Sequence, residues 1–135
     1  QFDITICNPP FHASSEEARS ATLRKLSNLK QKKITEPSLN FGGQNLELWC
    51  KGGEERFVND MIFESRRFKD SCLWFSTLIS KESNLKGVYA TLKRVNVVEV
   101  KTIQMGQGNK KSRIVAWTFL PTEQQKKWIS IKRKV

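Results

Sequence analysis

The pattern of apolar and polar residues divides the chain into strand-like and helix-like segments. Apolar runs without helical spacing cover residues 2–7 and 71–80, and the second run is almost continuous. A run of that kind is typical of a parallel strand in the centre of a sheet. Residues 97–105 and 113–120 alternate between apolar and polar side chains, and the glycine-containing turn 106–111 between them predicts a β-hairpin.

Three other segments have the features of helices. Ser14 and Glu17 form a capping-box pattern, which predicts that a strongly basic helix begins there. Residues 53–68 and 85–94 carry apolar residues at helical spacing. The apolar stripe of the first of these two consists of Phe57, Val58, Met61, Ile62 and Ser65. Strands that alternate with helices and end in a hairpin indicate an α/β fold.

The first strand runs directly into Asn8, Pro9, Pro10 and Phe11. Two consecutive prolines lack backbone N–H groups, so the strand ladder must stop there. Each proline also favours an extended conformation in the residue before it. The sequence therefore predicts a stiff loop at the carboxyl end of a strand, which is where ligands bind in open α/β sheets.

This loop suits the recognition of a flat base that carries an exocyclic amine. The side-chain carbonyl of Asn8 and the main-chain carbonyl of Pro9 are two acceptors for the two hydrogens of an –NH2 group. Phe11 offers a ring on which a flipped-out base stacks, worth roughly 1–3 kcal/mol. An amine held in this way keeps its lone pair directed at an electrophile, which is a geometry for methyl transfer.

Charge and composition narrow the class of partner. The chain has 135 residues, 38% of them hydrophobic, and a formal net charge of +11. A surface this basic favours nucleic acid as the partner, with a basic protein that binds no polyanion as the alternative. No apolar run approaches the ~20 residues of a membrane span, and no helix pattern suits a membrane surface.

Cysteine usage indicates a reduced, cytoplasmic protein. The three cysteines are Cys7, Cys50 and Cys72, an odd number without a Cys-x-x-Cys pair. Cys7 and Cys72 lie within apolar strand patterns, where cysteine acts as a small hydrophobic residue. We therefore expect neither disulfides nor a zinc site, and we expect no other metal.

Longer stretches of the sequence resemble one family. Asn-Pro-Pro-Phe after a strand resembles the motif of S-adenosylmethionine-dependent methyltransferases that act on adenine, cytosine or glutamine amines. Further segments resemble, over nearly the whole chain, the bacterial 23S ribosomal RNA adenine-N6 methyltransferases, whose animal relative methylates small nuclear RNA. These segments are residues 39–44, 47–54, 73–76, 112–113 and 116–119.

The resemblance implies a fold and a position within it. It implies that residues 1–135 form the C-terminal part of a Rossmann-like class I methyltransferase domain, whose sheet ends in an antiparallel hairpin. The last strand is then expected to lie between the preceding two. No glycine-rich cofactor turn precedes Asn8, so we expect the N-terminal cofactor-binding half to be absent and this chain alone to be inactive.

The resemblance also implies site residues. Asn8, Pro9, Pro10 and Phe11 are expected to be catalytic, with Asn8 also contacting S-adenosylmethionine. His12, which adjoins the loop, is not favoured as a base. Other candidate residues are expected to contact ribosomal RNA, the implied partner. These are Phe41, Gly42 and Gly43 in a possible lid, Lys81 after the strand 71–80, and Lys110, Lys111 and Arg113 at the hairpin.

Three points stay open at this stage. The same motif permits a methyltransferase that acts on DNA or on a protein glutamine, and the chain is also compatible with a non-catalytic RNA-binding module. Phe41 and Trp49 have an alternative role as anchors of a long loop to the core. The cations near the C-terminus are expected to extend the basic surface of the hairpin. They are Lys126, Lys127, Lys132, Arg133 and Lys134.

Overall fold

A computed structural model of the chain describes residues 1–10 and 52–133. The chain forms two compact units, Gln1–Asn8 with Val58–Val135 and Pro9–Phe57. The helix expected from Ser14 and most of the loop 35–54 lie outside the described residues. In chain order the elements are β1 (Phe2–Cys7), α1 (Gly53–Ser65), a 3-10 helix (Arg66–Phe68), β2 (Cys72–Ile79), a 3-10 helix (Glu82–Asn84), α2 (Leu85–Arg94), β3 (Glu99–Gln107), β4 (Lys110–Thr118) and α3 (Thr122–Arg133).

The four described strands form one sheet in the order β1-β2-β4-β3. β1 is parallel to β2, whereas β4 is antiparallel to both β2 and β3. The predicted α/β class, the terminal hairpin and the position of the last strand between the preceding two are therefore confirmed. We call the edge where β1 and β2 end the carboxyl edge, and the edge where they begin the amino edge.

β2 lies between β1 and β4, and each of its residues is buried or half-buried, which accounts for its largely apolar sequence. Phe75 on β2 stacks on Trp117 of β4, with ring centroids 6.0 Å apart. Trp117 is fully buried, and its indole N–H donates a hydrogen bond of 3.0 Å to Ser65 Oγ at the end of α1. The core residues around this pair are Val58, Ile62, Cys72, Phe75, Ile79, Val88, Leu92, Val95, Val115 and Trp117.

The helical predictions for 53–68 and 85–94 are confirmed. The first segment is α1 followed by a 3-10 turn, and the second is α2. Val58, Ile62 and Ser65 of the predicted stripe are buried. At the other side of the sheet, β1 is an edge strand in the described structure, and its apolar side chains Phe2, Ile4 and Ile6 are exposed.

The hairpin turn is shorter than the predicted turn 106–111. β3 and β4 stay paired up to Gln107 and Lys110, so only Gly108 and Asn109 connect them. Gly108 has φ +64°, which a type II′ turn requires at its first central position. The apolar alternation does not reveal these last ladder residues because Gly106, Gln107, Lys110 and Lys111 are polar or small.

The helix α3 was not predicted. Its sequence carries recognisable signals, since Pro121 immediately precedes it, Glu123 lies in its first turn and basic residues end it. The apolar stripe is weak, and no residue of α3 is fully buried. The helix contacts the sheet through Trp128, whose indole N–H donates to Asp3 Oδ1 at 2.8 Å. Gln125 Nε2 donates to Glu99 Oε1 at 3.4 Å.

Candidate functional site

Asn8 occupies the position that the sequence predicted, immediately after β1 at the carboxyl edge. Cys7 pairs with Thr77 of β2, so Asn8 leaves the sheet just before β2 itself ends at Ile79. The residue has no regular secondary structure, and its side chain is exposed. An exposed amide at the carboxyl end of a parallel strand is available to a ligand.

The other members of the predicted motif are described only in part. Pro9 and Pro10 follow Asn8 in the chain, belong to the second compact unit and are buried. The absence of regular structure at both prolines agrees with the expected end of the ladder. Phe11 and His12 lie outside the described residues, as do Phe41, Gly42 and Gly43.

The cations of the hairpin lie at the same edge as Asn8. Arg113 pairs with Ile79, the last residue of β2, so β4 extends beyond β2 by three residues. This overhang is roughly 10 Å, and it carries the exposed side chains of Lys110 and Lys111. Lys81 is exposed at this edge too, in an extended conformation before a 3-10 turn. The structure therefore brings together Asn8, Lys81 and the two hairpin lysines at one edge of the sheet.

Arg113 does not face outward with these lysines, so that expectation is wrong. Only 3% of its surface is exposed. Its guanidinium Nη1 lies 3.4 Å from the carbonyl oxygen of Ile79 and 3.3 Å from that of Ser80, and it donates to both. Its Nε is buried without a hydrogen-bond partner among the described residues. Arg113 thus stabilises the end of β2. Lys110 and Lys111 lie farther out along β4, in the overhang.

The sequence contained a signal for this burial. In a strand, residues two positions apart lie on the same face. Arg113 shares this parity with Val115 and Trp117, both of which are fully buried on the helix-covered face. Because Arg113 is charged, it was expected to face outward although the alternating pattern places it on the buried face.

The two described thiols at the sheet are unsuited to nucleophilic chemistry. Burial raises the pKa of Cys7 above its ordinary value of 9.0, and a hydrogen bond with Thr77 opposes this only in part. Burial likewise raises the pKa of Cys72, whose thiol donates to the Trp74 carbonyl oxygen at 3.1 Å. Both cysteines are free thiols. A raised pKa keeps each thiol protonated at neutral pH, so neither supplies a thiolate.

The C-terminal cations Lys126, Lys127, Lys132 and Arg133 lie at the opposite edge from the hairpin, and Lys134 lies outside the described residues. α3 contacts Asp3 at the start of β1 and Glu99 at the start of β3, so it lies at the amino edge. The expectation that these cations extend the hairpin surface is therefore wrong, because β4 carries the chain across the sheet before α3 begins.

Within residues 1–10 and 52–133, no helix is long and apolar enough to span a membrane, and no acidic, cysteine or histidine cluster suits a metal ion.

A family comparison agrees with this arrangement. A sequence profile described as RNA methyltransferase matches residues 1–121. The chain belongs to this RNA methyltransferase family. The matched residues include β1, the exposed Asn8, the helices α1 and α2, and the whole terminal hairpin.

Curated relatives of this RNA methyltransferase chain carry one common name. The ribosomal RNA large subunit methyltransferase F of Cytophaga hutchinsonii is 60% identical over 134 residues, which are 99% of this chain and 42% of the relative. The protein of the same name from Yersinia pestis is 52% identical over 131 residues, 96% of this chain and 39% of the relative. The chain therefore spans about two fifths of the length of these relatives.

Solved structures agree with the fold. The hMettl16 catalytic domain in complex with MAT2A 3′UTR hairpin 6 is 28% identical, with a TM-score of 0.68 over 89% of this chain and 41% of that chain. The N-terminal domain of human METTL16 in complex with SAH is 23% identical, with a TM-score of 0.56 over 88% of this chain and 33% of that chain. The second similarity bears on the fold alone. The RNA methyltransferase chain therefore has the Rossmann-like class I architecture expected from the sequence.

Proposed function

We propose that the full-length protein methylates the N6 amine of an adenine in large-subunit ribosomal RNA. The observation that carries this proposal is the exposed Asn8 at the carboxyl edge, beside the overhanging hairpin with Lys110 and Lys111. An amide that holds a base amine and cations that bind the RNA backbone are the two parts such an enzyme needs. The name shared by the relatives from Cytophaga hutchinsonii and Yersinia pestis supports ribosomal RNA as the substrate.

The catalytic contribution of the motif is positioning and electrostatic stabilisation. Asn8 Oδ1 and the Pro9 carbonyl oxygen accept the two N–H groups of the adenine amine, and Phe11 stacks on the base. Two acceptors at fixed positions keep the nitrogen lone pair aimed at the methyl donor. They also stabilise the positive charge that develops on nitrogen during transfer. The amine proton is lost to solvent afterwards, so no general base is required.

S-adenosylmethionine supplies the electrophilic methyl group in this proposal, as the resemblance of the Asn-Pro-Pro-Phe motif to S-adenosylmethionine-dependent methyltransferases implies. The described residues fit the acceptor side of the reaction better than the donor side. Asn-Pro-Pro follows β1 and Ser-Lys follows β2, and neither is a glycine-rich turn that cradles a nucleotide. Asn8 is the described residue assigned to the donor. The assignment of residues 1–135 as the C-terminal part of the domain stays a prediction.

The remaining contacts are assigned to the RNA. Lys81, Lys110 and Lys111 bind phosphates and give affinity without sequence information. Phe41, Gly42 and Gly43 remain predicted lid residues over the target nucleotide. Arg113 is assigned to the support of the edge rather than to RNA, because its donors face the carbonyl oxygens of β2. A ribosomal RNA substrate also implies that the protein works in the cytoplasm.

Asn8→Ala in the full-length protein tests the proposal. It removes the amide acceptor but leaves the lysines, so we expect kcat to fall by about 10²–10³-fold while the dissociation constant for RNA changes by less than about threefold. Asn8→Asp is the matched variant, because it keeps acceptor oxygens and should retain more activity than Asn8→Ala. Methyl transfer is measured on naked large-subunit RNA, duplex DNA and protein.

Two results would contradict the proposal. One is an Asn8→Ala variant that keeps more than about a tenth of the wild-type kcat, since the amide would then not act in the transition state. The other is a preference for duplex DNA or a protein glutamine over RNA, which would favour the alternative methyltransferases. RNA binding without any transfer would favour a non-catalytic module.

A further inference from the structure

We propose that the amino edge of the sheet is a second RNA-contact surface, which binds phosphates far from the target nucleotide. The inference rests on the proposed function in taking RNA as the partner. We define the amino-edge surface by eight of the exposed cations at the end of α1, at the end of α2 and on α3. They are Arg66, Arg67, Lys69, Arg94, Lys126, Lys127, Lys132 and Arg133.

Contacts show that these three groups of cations share one edge. A shallow groove of about 280 Å³ is lined by Asp70 from the turn before β2 and by Lys127 and Lys132 from α3. The Arg94 guanidinium lies 5.8 Å from the ring centroid of Phe63 in α1. Arg66 follows Phe63 by three residues, which places the two side chains on one side of the helical turn. The ends of α1 and α2 and the helix α3 therefore lie at the same edge of the sheet.

The surface has an excess of positive charge that its own acids do not neutralise. Eight cations stand against five carboxylates, those of Asp3, Glu64, Asp70, Glu99 and Glu123. The described ion pairs here are exposed and long: 3.7 Å for Arg67 with Glu64, 3.8 Å for Lys132 with Asp3, and 4.0 Å for Lys126 with Glu123. Exposed pairs of this kind contribute little to stability, so a polyanion competes for them easily.

Four cations of the surface have neither an ion-pair partner nor an aromatic ring contact within residues 1–10 and 52–133. They are Arg66, Lys69, Lys127 and Arg133. Fold stability does not require them there, because their side chains are exposed. Unneutralised cations at one edge are what counterion release on RNA binding requires.

Aromatic and aliphatic side chains lie among these cations. Phe68 is 56% exposed between Arg67 and Lys69, and Ile131 is 67% exposed beside Lys132. Trp128 is half-buried in the same groove as Lys127. Cations interleaved with exposed apolar rings are typical of surfaces that bind the backbone and bases of RNA.

The helix α3 itself points to the same conclusion. Isolated helices of about 12 residues are marginal in water, and α3 has 12 residues and buries none of them fully. Its described anchors to the sheet are single hydrogen bonds from Gln125 and Trp128 and one ion pair. Because few contacts hold α3 to the sheet, most of its surface, with its cations, is available to bind RNA.

The two RNA-contact regions are separated by the length of β2. Eight residues of strand span roughly 26 Å, so the amino-edge surface is about that far from Asn8 along the sheet. A short RNA around the target adenine reaches only the carboxyl edge. A longer folded RNA reaches both edges, and the amino-edge surface therefore acts on affinity for long RNA.

The test neutralises the α3 cations in the full-length protein with Lys126→Gln, Lys127→Gln, Lys132→Gln and Arg133→Gln together. RNA affinity is measured between low and moderate salt, with a short RNA that contains the target adenine and with a long fragment of the same ribosomal RNA. For the long RNA we expect the slope of log K against log salt to become shallower by about 3, from four lost phosphate contacts. For the short RNA we expect a change of less than about twofold.

Two control variants separate charge from structure. The combined variant Lys126→Arg, Lys127→Arg, Lys132→Arg and Arg133→Lys keeps every charge. It should have the wild-type salt slope for long RNA. Lys86→Gln removes an exposed cation from the first turn of α2, outside the amino-edge surface, and should leave both affinities unchanged. Unfolding temperatures of all variants should agree within a few degrees.

An unchanged salt slope for long RNA would overturn the inference, and so would an equal loss for short and long RNA. Loss of binding to anionic phospholipid vesicles, with RNA binding unaffected, would overturn it in favour of a membrane partner. The outcome is independent of the catalytic proposal. If Asn8→Ala keeps full activity while the long-RNA slope falls, the RNA surface stands and the catalytic assignment fails.

Discussion

The two edges of the sheet handle positive charge in opposite ways. At the carboxyl edge, Arg113 is inside the protein, and its guanidinium bonds to the last carbonyl oxygens of β2. At the amino edge, the cations of α3 are outside and make only long, exposed ion pairs. A buried guanidinium stabilises the fold, because its removal leaves buried carbonyl oxygens without a hydrogen-bond donor. An exposed lysine exchanges its partners at little cost in free energy. Charge along the sequence does not distinguish these two roles, but burial does.

The largest expected difference between the edges comes from Arg113→Ala. The variant loses two hydrogen bonds from a charged donor and leaves a cavity at the end of β2, so we expect the free energy of unfolding to fall by about 2–4 kcal/mol. Denaturant unfolding measures this change. Lys111→Ala is the matched control, and as an exposed substitution it should stay within about 0.5 kcal/mol. Equal effects at the two positions would contradict the structural role of Arg113.

The second prediction uses one thiol at each edge, Cys7 near the carboxyl edge and Cys72 at the amino edge. The pKa of each is raised by burial in the folded state. The unfolded chain therefore loses thiol protons first as the pH rises. Stability is fully present below the ordinary pKa of 9.0 and is lost as the pH rises through the higher folded values.

The decline is at most about 1.4 kcal/mol per pH unit for each thiol. Chemical unfolding between pH 7 and 10.5 measures it, in a Cys50→Ser background that removes the third cysteine. Cys7→Ala and Cys72→Ala should each reduce the part of the decline that depends on that thiol. Rapid alkylation of both thiols at pH 7, at the rate of a free cysteine, would show that the burial does not protect them.

The smallest effect is expected from Asp3→Asn at the amino edge. The substitution removes the ion pair with Lys132 and keeps an oxygen acceptor for Trp128, so the loss should be about 0.2–1 kcal/mol. Asp3→Ala also removes the acceptor and should cost more. Hydrogen exchange of the α3 amides reports the change locally, because a helix with few buried contacts opens before the sheet does. A loss as large as that of Arg113→Ala would mean that α3 is a structural support.

Much of the fold could be predicted from local patterns, because burial and periodicity are linked. The continuous apolar run of β2 follows from its central position, and the stripe of α1 follows from its packing on the sheet. The hairpin was visible in its alternation and in its glycines. The ladder next to the turn was not, because its residues are polar or small and carry no apolar signal.

The placement of charged side chains could be predicted less well. Asn8 was located correctly because prolines end a strand whatever surrounds it. Arg113 was placed wrongly because only the alternation with Val115 and Trp117 shows that it faces inward. The cations of α3 were assigned to the wrong edge because their position depends on the direction of β4, which is a property of sheet pairing and not of the local sequence.

The order β1-β2-β4-β3 also affects how the sheet forms during synthesis. The chain emerges from its N-terminus, and β4 must enter between two strands, β2 and β3, that have been synthesised before it. β2 ends at Ile79 and β4 ends at Thr118, about 40 residues later, which is roughly 2–8 seconds of translation. Throughout that interval the apolar β2 has one unpaired side. The nascent chain is therefore expected to be prone to aggregation through β2 until β4 leaves the ribosome.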